Sequence, residues 1–378
     1  MNFKKSSQLI RLIIYLLHSL VACEAFAEDS KKNLEANRGK FNQIIGTQAF
    51  PNLYGCGSKC SVAESASDIL ELGSRIIKTK SSNPLALKAV LDMPFDSYFF
   101  WWRSNGDTWF NGFSKEARIS EYEETYKFAK QLLTQFKDSE KTFFLGNWEG
   151  DWYLLRLKEH CTVEPCTTEP KQVNADNMAA WLNTRQQAVD DARRDFPSKS
   201  KVYLYAEVNR VLDATHDKKM RMANAVLHQT NVDYISYSAY DVQNQSQAVI
   251  NETLDYLAAQ LKPKARITGK RVFIGEMAMQ ARAFQYNQQK HEQKNREIML
   301  KFLRWKVPYI LYWQIYNNEV TEEGEQEGFW LINNHDHKWP LWYTLYGLYN
   351  YQNEVALKGN SSYDFIWEKT VEYLEQRQ

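Results

Sequence analysis

The sequence lacks the motifs that identify several common enzyme classes. No Gly-rich phosphate loop follows any of its predicted strands, which disfavours a doubly wound nucleotide-binding sheet. It contains neither the Gly-x-Ser-x-Gly elbow of serine hydrolases nor the His-Glu-x-x-His helix of zincins. It also lacks an excess of either charge, with 47 basic and 46 acidic residues, so the clustered basic excess typical of nucleic-acid binding is missing.

The N-terminal apolar run is too short to be a membrane span. Three basic residues precede or begin a stretch from Leu12 to Ala22, which falls short of the roughly 20 residues that a spanning helix needs. With Ala25-Phe26-Ala27 behind it, this stretch predicts a signal peptide over residues 1–27 and a secreted or periplasmic protein. Those residues hold three basic residues and one acid, so the mature chain has 44 basic and 45 acidic residues.

Cysteine is scarce, and its five positions leave two questions open. The segment Leu20-Val21-Ala22-Cys23 also resembles a bacterial lipobox, in which Cys23 would carry a lipid anchor at the cell envelope. If Cys23 is removed, an even number remains in an exported chain, which favours the local disulfides Cys56 with Cys60 and Cys161 with Cys166. A zinc site is the rival use, but the C-x2-C spacing of zinc ribbons does not occur here.

The rest of the chain alternates between strand and helix patterns. After a polar leader at residues 28–40, residues 41–378 show no linker or repeat and are predicted to form one domain. The predicted strands are 44–47, 75–78, 97–102, 142–146, 202–206, 232–236, 272–275 and 308–315. The predicted helices are 63–72, 121–136 with Ser120 as its cap, 175–196, 221–229, 249–261, 288–305 and 340–349. Eight strands that alternate with helices predict a (β/α)8 TIM barrel.

Two predicted strands end in carboxylates. Glu149 follows the fourth strand, within Asn147-Trp148-Glu149-Gly150-Asp151-Trp152, and Glu276 closes the seventh. Barrel enzymes carry their reactive groups at the C-terminal ends of strands, so these two glutamates are the predicted catalytic pair. Glu207 is the rival for one of the two positions, because it also follows a strand, the fifth. Each glutamate could instead pair with an arginine or cap a helix.

This arrangement resembles the clan A glycoside hydrolases. The resemblance implies that Glu149 is the general acid/base, that Glu276 is the nucleophile, and that the reaction is a retaining double displacement. Such enzymes hold one carboxyl protonated and one ionised about 5 to 5.5 Å apart, which leaves no room for an intervening water. Mutual repulsion then helps to raise the pKa of the acid.

Further positions are similar to the clan pattern. Tyr240, which closes the segment 232–240, matches the clan tyrosine that holds the nucleophile, and Trp313 matches the tryptophan that stacks beneath the sugar. Two positions depart from the pattern. Trp148 separates Asn147 from the acid glutamate where the clan has Asn directly before it, and Ser238 stands where many members have His.

Aromatic residues are abundant, with 12 Trp and 22 Tyr. Rigid amphipathic rings can stack on sugars, although a large core also consumes many of them. Trp148 and Trp152 bracket Glu149 and are predicted platforms, with Asn147 and Glu207 as further substrate-binding candidates. Of Trp101 and Trp102, which adjoin in one strand, alternation allows one to face the cleft and the other to pack outward.

These observations predict an exported retaining glycoside hydrolase whose partner is a carbohydrate. We expect no cofactor and no metal ion, since His335-Asp336-His337 reads as a solvated or substrate-edge loop in preference to a metal pair. One alternative is a catalytically inactive carbohydrate-binding barrel at the cell envelope. Another is an inverting hydrolase or a transglycosylase that uses the same carboxyls.

Overall fold

The computed structural model describes residues 43–51, 61–80, 84–102, 109–156, 169–356 and 362–377. Within them, eight parallel strands close into a barrel in chain order, and the first pairs with the eighth. The strands are β1 Ile45–Gln48, β2 Ile76–Lys80, β3 Ser97–Trp101, β4 Thr142–Gly146, β5 Lys201–Val208, β6 Tyr234–Ser238, β7 Val272–Met277 and β8 Ile310–Tyr312. The predicted barrel and the predicted count of its strands are confirmed.

Helices separate the strands and cover the outside of the barrel. They are α1 Val62–Leu72, α2 Pro84–Leu91, α3 Lys115–Gln135, α4 Gly150–Leu155, α5 Gln172–Asp195, α6 Val211–Thr215, α7 Gln247–Ala259, α8 Gln288–Arg304, α9 Pro340–Ala356 and α10 Tyr363–Glu375. A π-helical turn at Met222–Val226 and 3-10 turns at Leu227–Gln229 and Ala281–Phe284 complete the connections. Across the described ranges, none of these helices is long and apolar enough to cross a membrane.

The ends of the helices follow their capping residues. Ser61 caps α1 in a reciprocal capping box with Glu64, and Gly73 ends the helix in a left-handed conformation with φ of 96°. Helix α3 begins at Lys115 behind Ser114, so the predicted start at residue 121 with Ser120 as the cap is wrong. Its first turns are mostly exposed and have no apolar periodicity, so the sequence pattern did not predict them as helix.

The barrel interior has an aromatic layer with a charged layer above it. Phe99, Phe144, Tyr205 and Phe273 pack against one another inside the barrel, and Ile76, Tyr234 and Leu311 complete this cluster. Because side chains of a strand alternate between its faces, the inward residue after Ile76 is Lys78 and the inward residue after Tyr205 is Glu207. The charged side chains near the carboxyl ends of the strands therefore lie next to this apolar layer inside the barrel.

Three predictions concern parts of the chain outside the described residues. They are the signal peptide at 1–27, including the alternative of lipidation at Cys23, the polar leader at 28–40, and the pairing of Cys56 with Cys60 and of Cys161 with Cys166.

Candidate functional site

Glu149 and Glu276 both lie at the carboxyl-terminal end of the barrel. Strand β4 ends at Gly146, and Glu149 follows three residues later, directly before α4. Glu276 lies within β7 and pairs with Ser238 of β6. Both side chains are almost fully buried, with exposed fractions of 8% for Glu149 and 3% for Glu276.

A change of register turns Glu276 into the barrel. Phe273 packs inside, so strict alternation would place Gly275 inside and Glu276 outside. The pairing of β6 with β7 shifts between Tyr237 and Ser238, as at a β-bulge, and the carboxylate of Glu276 reaches an interior lysine. An irregularity of this kind is a common device for aiming a side chain into a site.

The carboxyl group of Glu149 is held by two uncharged donors. The hydroxyl of Ser238 donates to Oε1, and the indole N–H of Trp152 donates to Oε2 at 2.5 Å. Burial raises the pKa of Glu149 to about 7; the charge of Glu207 acts in the same direction, while the two hydrogen bonds act against it. A carboxyl group with such a pKa can carry a proton at neutral pH and release it during a reaction.

Lys78 is a central cation of the site that the sequence pattern did not predict. Its side chain is fully buried, and its Nζ lies 2.7 Å from Oε2 of Glu207 and 3.2 Å from Oε1 of Glu276. The same ammonium donates to the carbonyl oxygen of Gly275 at 2.9 Å. Burial raises the pKa of Glu276 above its usual range, and the ammonium of Lys78 opposes that rise.

Glu207 is held by donors on both carboxylate oxygens. Its Oε1 accepts from the indole of Trp101 and from the backbone N–H of Glu149, each at 3.2 Å. Its Oε2 accepts from Lys78 and from the hydroxyl of Ser236, each at 2.7 Å. Glu207 therefore has no exposed surface and four donors around its carboxylate.

Asn147 and Asp151 connect the ends of β4 and β5. The amide of Asn147 donates to the carbonyl of Glu207 at 2.9 Å and accepts from its N–H at 3.1 Å. The carboxylate of Asp151 accepts from the backbone N–H of Asn209 at 3.1 Å and of Met222 at 2.7 Å. Both side chains have no exposed surface, so they position the loop around Glu149.

Aromatic rings gather beside the carboxylates. Trp101 lies with its centroid 5.9 Å from that of Trp148, 5.9 Å from that of Trp313 and 4.1 Å from that of Phe50. Trp102 packs outward, stacked on Phe128 of α3 at 4.2 Å. Trp101 is therefore the member of the adjoining pair that faces the site.

The remaining predicted aromatic residues lie close to this group. Trp148, Trp152 and Tyr240 are partly exposed, whereas Trp313 is buried and its indole donates to Glu319 at 2.7 Å. The hydroxyl of Tyr240 makes no hydrogen bond to Glu276, although burial and, to a smaller extent, the carboxylate of Glu276 raise the pKa of Tyr240. The side chain that donates a hydrogen bond to Glu276 is Lys78, at 3.2 Å.

The histidine pair, His335 and His337, lies on an exposed loop. The backbone N–H groups of His335 and His337 donate to the side chain of Asn333, at 3.0 and 2.9 Å, which shapes the loop from within. In the described part of the chain, no group of three or more His, Cys, Asp or Glu side chains is arranged to hold a metal ion.

Signals for the missed residues were present but ambiguous. Lys78 lies in β2 between Ile77 and Thr79, at a position whose side chain points into the barrel. In the sequence it stands at the end of the predicted strand 75–78. Ser236 and Ser238 are small polar residues two apart in a buried strand, which places both on one face. An inward lysine can be recognised as functional only once the facing glutamates are known.

No protein-family model and no curated protein sequence matches the chain. Its structure is similar to that of a family 39 glycoside hydrolase from the gut symbiont Bacteroides cellulosilyticus WH2, with a TM-score of 0.55 and 11% sequence identity. That likeness covers 82% of this chain, which spans 64% of the length of the hydrolase. The resemblance to clan A glycoside hydrolases is thus confirmed in the fold.

Two other solved structures are less similar. One is a GH5 xyloglucan-specific endo-β-1,4-glucanase from a metagenomic library, with a TM-score of 0.48, 12% identity, and coverage of 84% of this chain and 99% of that one. The other is a GH39 β-xylosidase from Caulobacter crescentus, with a TM-score of 0.47, 10% identity, and coverage of 82% and 72%.

Proposed function

We propose that this protein is an exported glycoside hydrolase that cleaves a poly- or oligosaccharide by a retaining double displacement. The observation that carries the proposal is the contrast between two buried carboxyls at one end of the barrel. Burial raises the pKa of both carboxyls, but Glu149 contacts two uncharged donors, whereas Glu276 faces the ammonium of Lys78, which favours its ionised form. Pairs of carboxyls in such unlike environments are typical of an acid and a nucleophile.

In the first step, Glu276 attacks the anomeric carbon while Glu149 gives its proton to the departing glycosidic oxygen. The bond from carbon to that oxygen breaks, and an ester forms between the sugar and Glu276. Of the two oxygens of Glu276, Oε1 accepts from Lys78 and Oε2 accepts from no donor among the described residues. We assign the attack to Oε2.

In the second step, a water molecule attacks the anomeric carbon of the ester. Glu149, now ionised, takes a proton from the water, and Glu276 leaves as a carboxylate beside Lys78. Both groups return to their starting states, and the two inversions restore the configuration of the sugar. Trp148 and Trp152, both partly exposed beside Glu149, are the proposed stacking surfaces for the sugar rings, with Trp313 and Tyr240 as further proposed substrate contacts.

Two of the predicted binding residues are better described as supports. Both amide atoms of Asn147 are engaged by the backbone of Glu207, and both carboxylate oxygens of Glu207 are engaged by donors. Neither residue has exposed surface. We assign Glu207 the role of anchor and Glu149 the role of acid.

The experiment compares the wild type with Glu149→Gln and Glu276→Gln on 4-nitrophenyl glycosides and on polysaccharides, with release of reducing ends as the readout. We expect no turnover by Glu276→Gln. Glu149→Gln should lose turnover on polysaccharides yet recover part of it on activated glycosides when azide is added, because azide needs no general base. Glu252→Gln on the exposed surface of α7 is the matched control and should retain full activity.

Full activity of Glu276→Gln would overturn the proposal. Binding of a glycan without release of product, unchanged in both glutamine variants, would instead establish the inactive carbohydrate-binding barrel. Export is tested separately by sequencing the N-terminus of the mature protein. A start at Glu28 fits cleavage after Ala27, and a lipidated Cys23 fits the envelope anchor.

A further inference from the structure

The charged layer of the barrel holds more acids than bases. Three carboxyls, those of Glu149, Glu207 and Glu276, act on one another electrostatically, and Lys78 is the cation within reach of them. Charges in this buried layer are screened little by water. The position of the Lys78 ammonium therefore affects which carboxyl is easily ionised.

Lys78 is divided between two of these carboxyls. An ammonium has three N–H donors, and those of Lys78 face Oε2 of Glu207 at 2.7 Å, the carbonyl of Gly275 at 2.9 Å and Oε1 of Glu276 at 3.2 Å. The shortest contact is made to Glu207 and the longest to Glu276. Glu276 thus receives only part of the stabilisation that a dedicated ion pair would supply.

Glu207 cannot release the cation by moving away. Trp101, Ser236 and the backbone of Glu149 hold its carboxylate, and its side chain has no exposed surface. The carboxylate also packs closely against Gly275, where a Cβ, if present, would lie 2.6 Å from Oε2 of Glu207. The carboxyl group of Glu207 is therefore fixed in position beside Lys78.

We propose that Glu207 is a positioning residue, a buried counter-ion that shares Lys78 with Glu276 and so sets the pH at which Glu276 ionises. The inference rests on the proposed function in assigning Glu276 as the nucleophile. It also explains why Lys78 needs Glu207 as a partner in addition to Glu276. When the glycosyl ester neutralises Glu276, Lys78 keeps a charged partner, and no unpaired cation remains in the interior.

The other titratable groups near Glu276 are the carboxyl of Glu149 and the hydroxyls of Tyr205 and Tyr240. Burial raises the pKa of both tyrosines well above the usual range, so they stay neutral through the titration of Glu276. Lys78 and Glu207 are therefore the neighbours whose replacement should change the pKa of Glu276. Glu149 is present in all of these variants and affects each of them in the same way.

The test is a carboxyl titration of the unliganded protein, labelled with 13C at the side-chain carboxyl carbon of glutamate. The signal of Glu276 is assigned as the one that disappears in Glu276→Gln. In Glu207→Gln, Lys78 is free to pair with Glu276, and the pKa of Glu276 should fall by about one pH unit or more. In Lys78→Gln it should rise by a similar amount, while Lys78→Arg, which keeps the charge, should change it less.

A double-mutant cycle distinguishes an effect that Glu207 exerts through Lys78 from direct charge repulsion between Glu207 and Glu276. If Glu207 acts through Lys78, the change caused by Glu207→Gln must be larger with Lys78 present than in the Lys78→Gln background. Equal changes in both backgrounds, or an unchanged pKa in Glu207→Gln, would overturn the inference.

If Glu207→Gln does not fold, Ser236→Ala carries the test, since loss of that donor makes Glu207 hold Lys78 more strongly and should raise the pKa of Glu276. No rise would overturn the inference.

The titration needs no substrate, so its result is independent of the proposed function. With an active substrate, the acid limb of kcat/KM should move in the same direction as the pKa of Glu276 in each variant. If Glu207 were the general acid, Glu207→Gln would instead lose turnover and regain it with azide. A shift of the titration with no glycosidase activity in the wild type would remove the proposed function and leave the charge sharing established.

Discussion

The side chain of Asn147 pairs with the backbone of Glu207 through two hydrogen bonds, 2.9 Å to the carbonyl oxygen and 3.1 Å from the N–H. The pairing of β4 with β5 has its last rung between Gly146 and Tyr205, so Asn147 extends the sheet by one side-chain rung. The chain then turns through Trp148, and the N–H of Glu149 reaches the carboxylate of Glu207. This contact holds the turn in which Trp148 is the additional residue between Asn147 and Glu149.

Replacing Asn147 with alanine should therefore destabilise the fold. Two buried backbone groups of Glu207 would lose their partners, at a cost of about 2 to 4 kcal/mol in the free energy of unfolding. Urea denaturation measures this cost, with Asn244→Ala on an exposed turn as the control. Equal stability of the two variants would show that the rung is not needed.

Gly275→Ala should disrupt the charged layer. A Cβ at this position would lie 1.8 Å from Oγ of Ser236 and 2.6 Å from Oε2 of Glu207, so both side chains would have to shift. We expect a loss of about 2 kcal/mol or more in unfolding free energy, as for other overpacked sites. Adding Ser236→Ala removes the nearer atom and should recover part of the loss. A double variant no more stable than Gly275→Ala would argue against this steric account.

The alkaline limb of kcat/KM should report the ionisation of Glu149. A general acid must be protonated, so activity should fall as the pH rises through about 7, the pKa of Glu149. Ser238→Ala removes a donor that favours the ionised form, so the limb should move to higher pH by about half a unit to one unit. Ser236→Ala acts on Glu207, so it should leave this limb in place. A limb that moves down, or one that moves equally in both variants, would contradict the assignment of Glu149.

Glu149→Gln should stabilise the protein at alkaline pH. The pKa of Glu149 rises from the ordinary 4.5 to about 7 on folding, so between these values the unfolded chain holds fewer protons and stability falls as the pH rises. Glutamine removes this penalty, which is absent below about pH 4.5 and complete above about pH 7. Denaturation at pH 8 should show Glu149→Gln more stable than the wild type by about 2 to 3 kcal/mol, with a much smaller difference at pH 4.5. A variant no more stable at pH 8 would show that burial does not penalise this carboxylate.

The barrel could be predicted because its strands are short apolar runs at regular intervals. Strand β4 was predicted with its observed bounds, Thr142–Gly146, and the order of the strands located Glu149 and Glu276 at the same end. The start of helix α3 could not be predicted, because its exposed first turns have no apolar periodicity. The short helix α4 was missed because six residues are too few for such a period.

The different environments of the glutamates could not be read from the sequence. Glu149 and Glu207 each follow a strand, and both lie near an asparagine. Their difference arises from partners far away in the chain, because Lys78 and Ser236 reach Glu207 while Ser238 reaches Glu149. Serines 236 and 238 lie two apart on one strand, yet they serve different carboxylates.

Covalent trapping of the nucleophile tests the central claim most directly. Incubation with 2,4-dinitrophenyl 2-deoxy-2-fluoro-glycosides should form a slowly hydrolysed ester, because the fluorine disfavours the charged transition state of both steps while the good leaving group assists the first. We predict that the intact mass rises by one fluoroglycosyl group, that the label lies on Glu276, and that the Glu276→Gln variant stays unlabelled. A label on Glu149 or Glu207, or turnover of a glycoside with inversion at the anomeric carbon, would contradict the account.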